Sequence, residues 1–302
     1  MNLKVKVGKL VLKNPVMAAS GTFGSEYGGI VDINKLGAYI AKTITIDGRI
    51  GNPPPRIIET ASGMLNAIGL ENGGVEDFIE NKLSRLRNIK IPIIASIAGD
   101  DAWQFKALAK SLSKTRKVSG LEVNLSCPNV KHGKRDFLIA QDKDATYEVI
   151  KAVRSVTNIT MIAKLSPNVT DVALIAEAAR KAGADAVSLV NTFIGMAVDI
   201  DRQKPVLGNV TGGLSGPAIK PLALRMVREV YKKVKIPIIG MGGIMDHKDA
   251  VEFMLCGASA VQVGTANFVD PSAMPDIIKG LKSYMSAKGI KYVRELTGAL
   301  KA

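Results

Sequence analysis

Short, β-branched apolar runs alternate with amphipathic stretches along this sequence, and that alternation constrains the fold more than any other feature. Eight runs read as strands, at residues 15–19, 39–43, 92–97, 121–125, 161–165, 186–190, 237–240 and 260–263. Between them, apolar residues recur near the 3.6-residue period over 75–86, 102–112, 145–156, 171–182, 219–234, 247–255 and 271–288. Asp171 and Asp246 stand where an N-cap is wanted, and Gly183 and Gly257 where a helix C-terminus is wanted. A strand that returns through a helix pairs in parallel with its neighbour, and eight such units close a barrel more naturally than they extend an open sheet. The expected fold class is therefore α/β, a (β/α)8 TIM barrel. A doubly wound sheet is the alternative.

Two segments exceed a minimal barrel. Residues 4–12 read as a small hairpin, expected to plug the barrel floor. Residues 44–74 carry Asn52-Pro53-Pro54-Pro55-Arg56 and are long for a strand-to-helix loop; loops of that length are usually functional or disordered, and this one is expected to be functional. No Ser/Gly linker interrupts the pattern, so residues 1–302 are expected to form one domain. Apolar residues make up 47% of the chain, enough for a core at this length and incompatible with disorder. Two cysteines make no disulfide scaffold and point to a reducing compartment. Residues 1–7 lack the apolar run of a signal peptide, and no stretch reaches the roughly 18 apolar residues of a membrane helix. A soluble, cytoplasmic protein is expected, with no membrane partner. The net charge of +14 admits a nucleic acid, an acidic lipid, a small anion or plain solubility.

Barrel active sites form at the C-terminal ends of the strands, with phosphate often held after strands 7 and 8. Strand 7 runs into Gly240-Met241-Gly242-Gly243 and strand 8 into Gly264-Thr265, while Gly212-Gly213-Leu214-Ser215-Gly216 precedes another helix. Glycines there let backbone N–H groups approach an anion beside a helix start. Strand 4 ends in Asn124-Leu125-Ser126-Cys127-Pro128-Asn129. A cysteine at a strand mouth can act as nucleophile or, as thiolate, as base. Cys256, on an apolar helix face, reads as structural. Lys42 and Lys164, near the ends of strands 2 and 5, suit an anionic ligand, and Asn66, Asn124 and Asn191 suit an imide or carboxylate. His132 reads as a loop residue and His247 as a surface one, and with two His and no Cys cluster no metal site is expected.

These segments, with Ala18 to Gly24, Gly51 to Arg56, Asn66 to Leu70, Ala163 to Pro167 and Thr211 to Pro217, resemble class 1 dihydroorotate dehydrogenases over about residues 3 to 280. Within that class they are most like the class 1B, NAD-linked catalytic subunit. The resemblance implies an FMN-binding barrel that oxidises (S)-dihydroorotate to orotate in pyrimidine biosynthesis. Cys127 would take the C5 proton while hydride leaves C6 for the flavin. Lys42, Asn66, Ala67, Ile68, Gly69, Leu70, Asn124, Asn191 and Thr192 would hold the substrate. Ser20, Gly21, Lys42, Thr43, Ser96, Asn124 and Lys164 would face the flavin, with Lys164 at its N1/O2 edge. Val190, Gly216, Gly242, Gly243, Gly264 and Thr265 would complete the FMN site, and residues 131–137 would form a lid. Ser96 departs from the family, which commonly places Asn there.

The resemblance also implies partners: a homodimeric core, and a heterotetramer with two electron-transfer subunits that carry FAD and a 2Fe-2S cluster. This chain's two cysteines cannot hold such a cluster. A fumarate-linked class 1A enzyme is the alternative, and an RNA-acting flavoprotein similar to dihydrouridine synthases is a further one. The latter needs stacking aromatics in a basic groove, whereas seven Phe, six Tyr and one Trp are scattered here, so no nucleic-acid partner is expected. Most basic residues are then expected on helix exteriors or against an acidic partner surface.

Overall fold

The computed structural model describes residues 1–24, 29–125 and 139–301. Eight parallel strands form its centre: β1 (Val16–Ala18), β2 (Tyr39–Ile40), β3 (Ile93–Ile97), β4 (Val118–Asn124), β5 (Thr160–Lys164), β6 (Ala186–Leu189), β7 (Ile238–Met241) and β8 (Ala260–Val263). Hydrogen bonding runs in the order β1-β8-β7-β6-β5-β4-β3-β2. At the remaining seam between β1 and β2, Gly37 N donates to Val16 O at 2.8 Å. A Cβ on Gly37 would stand 2.2 Å from Asn14 O, so only glycine lets the chain pass close enough to close the barrel.

Every residue of β3, β5, β6, β7 and β8 is buried. One face of each strand meets the helices and the other the barrel interior, which is why these strands read as unbroken apolar runs. The surrounding helices start where a side chain satisfies their first N–H groups: Asp101, Asp142, Asp171 and Asp246 each accept from backbone amides of the first turn. The helix expected over 75–86 is present from Gly74 to Arg85, with a π-helical turn at Phe78–Lys82. One connected apolar cluster runs from the barrel interior to the helices. Lys106, Lys110, Lys114 and Lys117, on and just after the helix Ala102–Ser113, are exposed, in line with excess positive charge on helix exteriors.

The hairpin of residues 4–12 is present as Val5–Val7 paired with Leu10–Leu12. Lys9 N donates to Thr160 Oγ1 at 3.0 Å and Lys9 Nζ to Asn158 O at 2.6 Å, both at the entry to β5. Leu10 packs over Gly120 near the entry to β4, so the hairpin covers the floor as expected.

The segment 44–74 is more ordered than its sequence suggests. Ile57–Thr60 and Gly63–Asn66 form an antiparallel pair, and Thr211–Ser215 and Phe193–Met196 extend it to a four-stranded sheet. Leu65, Ala67 and Leu207 form its own small core. The glycines at 212 and 213 therefore serve a strand: a Cβ on Gly213 would stand 2.0 Å from Thr192 Oγ1. Among the described residues, no helix is long and apolar enough to cross a membrane.

Candidate active site

The C-terminal ends of the strands surround a cavity of about 330 Å³ roofed by the four-stranded sheet. The barrel rim supplies Ser20 and Gly21 after β1, Lys42 and Thr43 after β2, Asn124 at the end of β4 and Lys164 at the end of β5. Val190, Asn191 and Thr192 follow β6, Gly242 and Gly243 follow β7, and Gly264 and Thr265 follow β8. The roof brings Asn66, Ile68, Gly69, Leu70 and Gly216. Residues from seven strand ends and two distant loops thus converge on one space.

Two of the expected site residues stand behind the wall rather than on it. Ala67 is fully buried in the roof, where its N–H donates to Arg56 O at 2.7 Å. Ser96 is fully buried on β3 and exchanges a 2.9 Å hydrogen bond with Thr43 Oγ1, which lies 3.2 Å from Ser20 Oγ. Its hydroxyl thereby fixes the rotamer of a lining residue. Cys127 and residues 131–137 lie outside the described residues. The described residues on either side meet at the mouth, where Ala140 N donates to Leu125 O at 3.0 Å.

At one end of the cavity three glycine loops close together. Gly216 and Gly243 have φ of +98° and +76°, and a Cβ on Gly243 would stand 2.8 Å from Gly216 O. The helix Lys220–Lys233, preceded by the turn Pro217–Ile219, starts at this end. Backbone N–H groups beside a helix start suit an anion such as phosphate. Lys220 itself is committed elsewhere: its Nζ donates to Asp249 Oδ1 at 2.6 Å, which raises its pKa above the ordinary lysine value.

The rim adds two cations and amides. Lys42 Nζ lies across Gly21, where a Cβ would come within 3.0 Å of it. Lys164 is 6% exposed and pairs at 3.7 Å with the fully buried Glu122. Asn66 Nδ2 reaches Gly213 O at 3.4 Å, and Asn191 Oδ1 accepts from Thr192 N at 2.8 Å.

Several contributors have no distinctive sequence signal. Met64, Met241, Ile244 and Phe268 give the cavity apolar walls, and their types read as ordinary core. Asn168 ties the β5 loop to the β6 loop by donating to Thr192 O at 3.0 Å and accepting from Ile194 N at 2.9 Å. Glu122 had a legible signal, a lone acid on the same strand face as Asn124, two residues on. An anion cradle, apolar walls and a polar rim with a buried ammonium suit an elongated ligand with a phosphate, a flat apolar body and a hydrogen-bonding edge.

The match to known proteins follows this chemistry. The family model described as dihydroorotate dehydrogenase matches residues 2–285. A Geotalea uraniireducens protein named dihydroorotate dehydrogenase B (NAD(+)), catalytic subunit, is 53% identical over 99% of this chain and 98% of its own length. Proteins of the same name from Caldicellulosiruptor bescii and Thermoanaerobacter sp. strain X514 are 51% and 52% identical, over 99% and 100% of this chain and 99% of their own lengths. Matched over nearly its whole length at about half identity, the chain belongs to the dihydroorotate dehydrogenase family.

Proposed function

We propose that this chain is the FMN-binding, single-domain catalytic subunit of an NAD-linked dihydroorotate dehydrogenase, oxidising (S)-dihydroorotate to orotate in pyrimidine biosynthesis. One observation carries the reading: the glycine cradle, the buried Lys164 and the amides of Asn66, Asn124 and Asn191 face a single cavity at the barrel mouth. The residues present fit FMN. Gly216, Gly242, Gly243, Gly264 and Thr265 would hold its phosphate, Val190 and Gly21 its faces, and Ser20, Thr43 and Lys164 its polar edge. When bound, FMN supplies the acceptor for the hydride from C6 of the substrate.

The chain's own residues do the rest. Lys42 neutralises the substrate carboxylate, while Asn66, Asn124, Asn191 and Thr192 with the backbone of residues 68–70 fix the ring amides. Cys127 takes the C5 proton, and it does so as thiolate. A free thiol titrates near 8.5, so the rate of reduction rises with pH up to the thiol's value in the site. Lys164 contributes positive charge where negative charge develops. Residues 131–137, acting as a lid, exclude water from the transfer.

Electrons leave through a second protein. The relatives' names describe a catalytic subunit and NAD(+), and two cysteines cannot ligate a 2Fe-2S cluster here. The assembly we propose is a homodimeric core with two electron-transfer subunits carrying FAD and 2Fe-2S, in the cytoplasm, where thiols stay reduced. Purification with its partner should show FAD and iron–sulfur absorbance, whereas a fully active homodimer reoxidised by fumarate would place the chain in class 1A.

Cys127→Ala is the direct test of the reaction. The variant should stay yellow and bind orotate, but dihydroorotate should reduce its flavin about 10²- to 10⁴-fold more slowly in anaerobic stopped flow. Reduction at the wild-type rate would remove Cys127 as the base.

A further inference from the structure

The barrel interior holds a charged pair that the proposed reaction leaves half unused. Glu122 on β4 is fully buried, and Lys164 Nζ on β5 stands 3.7 Å from its Oε1. Two donors converge on the other oxygen, Ser188 Oγ from β6 at 3.1 Å and Gln262 Nε2 from β8 at 2.7 Å. Among the described residues Oε1 receives no hydrogen bond, so the ammonium of Lys164 is what it faces. A carboxylate, which only accepts, suits this set of donors. Four strands thus each spend one interior position on a single polar point.

Stability does not explain that arrangement. Ion pairs withdrawn from water rarely return their desolvation cost, and well-packed apolar side chains would fill the same layer at least as well. Position explains it better. Lys164 lines the cavity and Glu122 does not, so the carboxylate lies one side chain further from any ligand. Asn124, two residues along β4 and on the same face, also lines the cavity, which places Glu122 directly below the site.

We propose that Glu122 is a positioning residue for Lys164. Its carboxylate anchors the ammonium at the cavity wall and offsets part of its charge, making a flavin bound there harder to reduce than Lys164 alone would make it. The proposal rests on the flavin reading given above. Reduction adds negative charge to the flavin. Lys164 favours that charge, and Glu122, behind it, opposes it. The outcome is a moderated pull, strong enough to accept electrons from substrate and weak enough to release them to the next carrier.

Glu122→Gln removes the charge and keeps an oxygen for Gln262 to donate to. Removing a unit charge a few ångströms away, at an effective dielectric of about 20, should change the ratio of reduced to oxidised FMN at a fixed potential by tenfold or more. Tenfold corresponds to a rise of about 30 mV for a two-electron couple. The experiment is a spectrophotometric redox titration of the FMN-loaded chain, with the affinity for oxidised FMN measured in parallel. Glu122→Asp keeps the charge and should stay within about threefold of wild type, whereas a packing defect would move both variants alike. An unchanged or lowered potential in Glu122→Gln with FMN bound, or equal shifts in both variants, overturns the proposal and leaves the flavin reading standing. Failure of the wild-type chain to take up FMN overturns that reading and the proposal with it. Should Glu122→Gln lose its cooperative melt, the double variant with Lys164→Gln decides: a recovered melt upholds the counter-ion pair, and no recovery overturns it.

Discussion

Replacing Gly243 with alanine perturbs the phosphate end where the geometry itself sets the magnitude. Gly243 has φ of +76°, a conformation that costs an L side chain about 1–2 kcal/mol. The added Cβ would stand 2.8 Å from Gly216 O and 2.8 Å from Lys220 Cβ. A backbone carbonyl cannot rotate away as a flexible side chain does, so the two loops must part, at about 1–3 kcal/mol. Gly243→Ala should therefore destabilise the protein by about 2–5 kcal/mol. At about 2 °C per kcal/mol for a chain of this size, the apo-protein should melt about 4–10 °C lower. The same movement draws the Gly216 loop away from the proposed phosphate position. One hydrogen bond lost to a charged group is worth about 1.5–3 kcal/mol, so FMN should bind roughly 10- to 100-fold more weakly. Calorimetry of the apo-protein and titration of flavin fluorescence read the two effects separately. A melting temperature within 1 °C of wild type, taking ~1 °C as the resolution of the scale, would refute the steric reasoning. The expected loss of stability with FMN affinity intact would refute the cradle.

Two other substitutions probe the supports of the site. Thr43→Val keeps the shape but removes the hydroxyl between Ser20 and the buried Ser96. It should cost about 1–3 kcal/mol in a denaturant melt, and a neutral outcome would show that Ser96 finds another partner. Lys220 gains a pKa above its ordinary 10.5, chiefly because Asp249 accepts from its ammonium, with Glu252 adding to the effect and burial opposing it. A raised value stabilises the fold fully below the unfolded pKa, and that stability is lost as pH rises through the folded one. Lys220→Met should thus cost about 1 kcal/mol at pH 8, with the difference from wild type fading above about pH 10.5. A cost independent of pH would assign the effect to packing.

Burial on both faces made the barrel legible. A strand such as Ile93–Ile97, enclosed by helices and interior alike, must be apolar at every position or nearly so, and its sequence shows it. β4 was legible only from Leu121, because Ser119 and Gly120 interrupt the run. A Cβ on Gly120 would stand 3.1 Å from Thr160 O and 3.3 Å from Leu10 of the floor hairpin, contacts that no local pattern encodes. A single glycine after a strand usually only makes a turn, so the glycine loops stood out by falling together at the strand ends where a barrel holds phosphate. The roof was hidden for the opposite reason. No residue of Ile57–Thr60 is fully buried, and Thr211–Ser215 spends two of its five positions on glycine. Its partner lies 147 residues away in sequence, so neither periodicity nor turn chemistry announces the pairing. Ser96 read as a flavin contact because it stands where related sequences commonly place Asn, after strand 3. One layer of depth, invisible in sequence, makes it a support for Thr43.

The roof sheet also ties together two loops that could otherwise change length independently. Asn66 pairs with Gly213 and Leu65 with Leu214, so the loop after β2 and the loop after β6 share one register. Along a strand, a shift of one residue exchanges the two faces. A single insertion within the paired strand Gly63–Asn66 would therefore turn Leu65 out of its small core toward the cavity and bury the Asn66 amide in its place. Stability and substrate recognition would fail in the same step. Viable length changes in either loop are confined to the turns beyond the paired strands, or must come as even-numbered steps that carry both loops along.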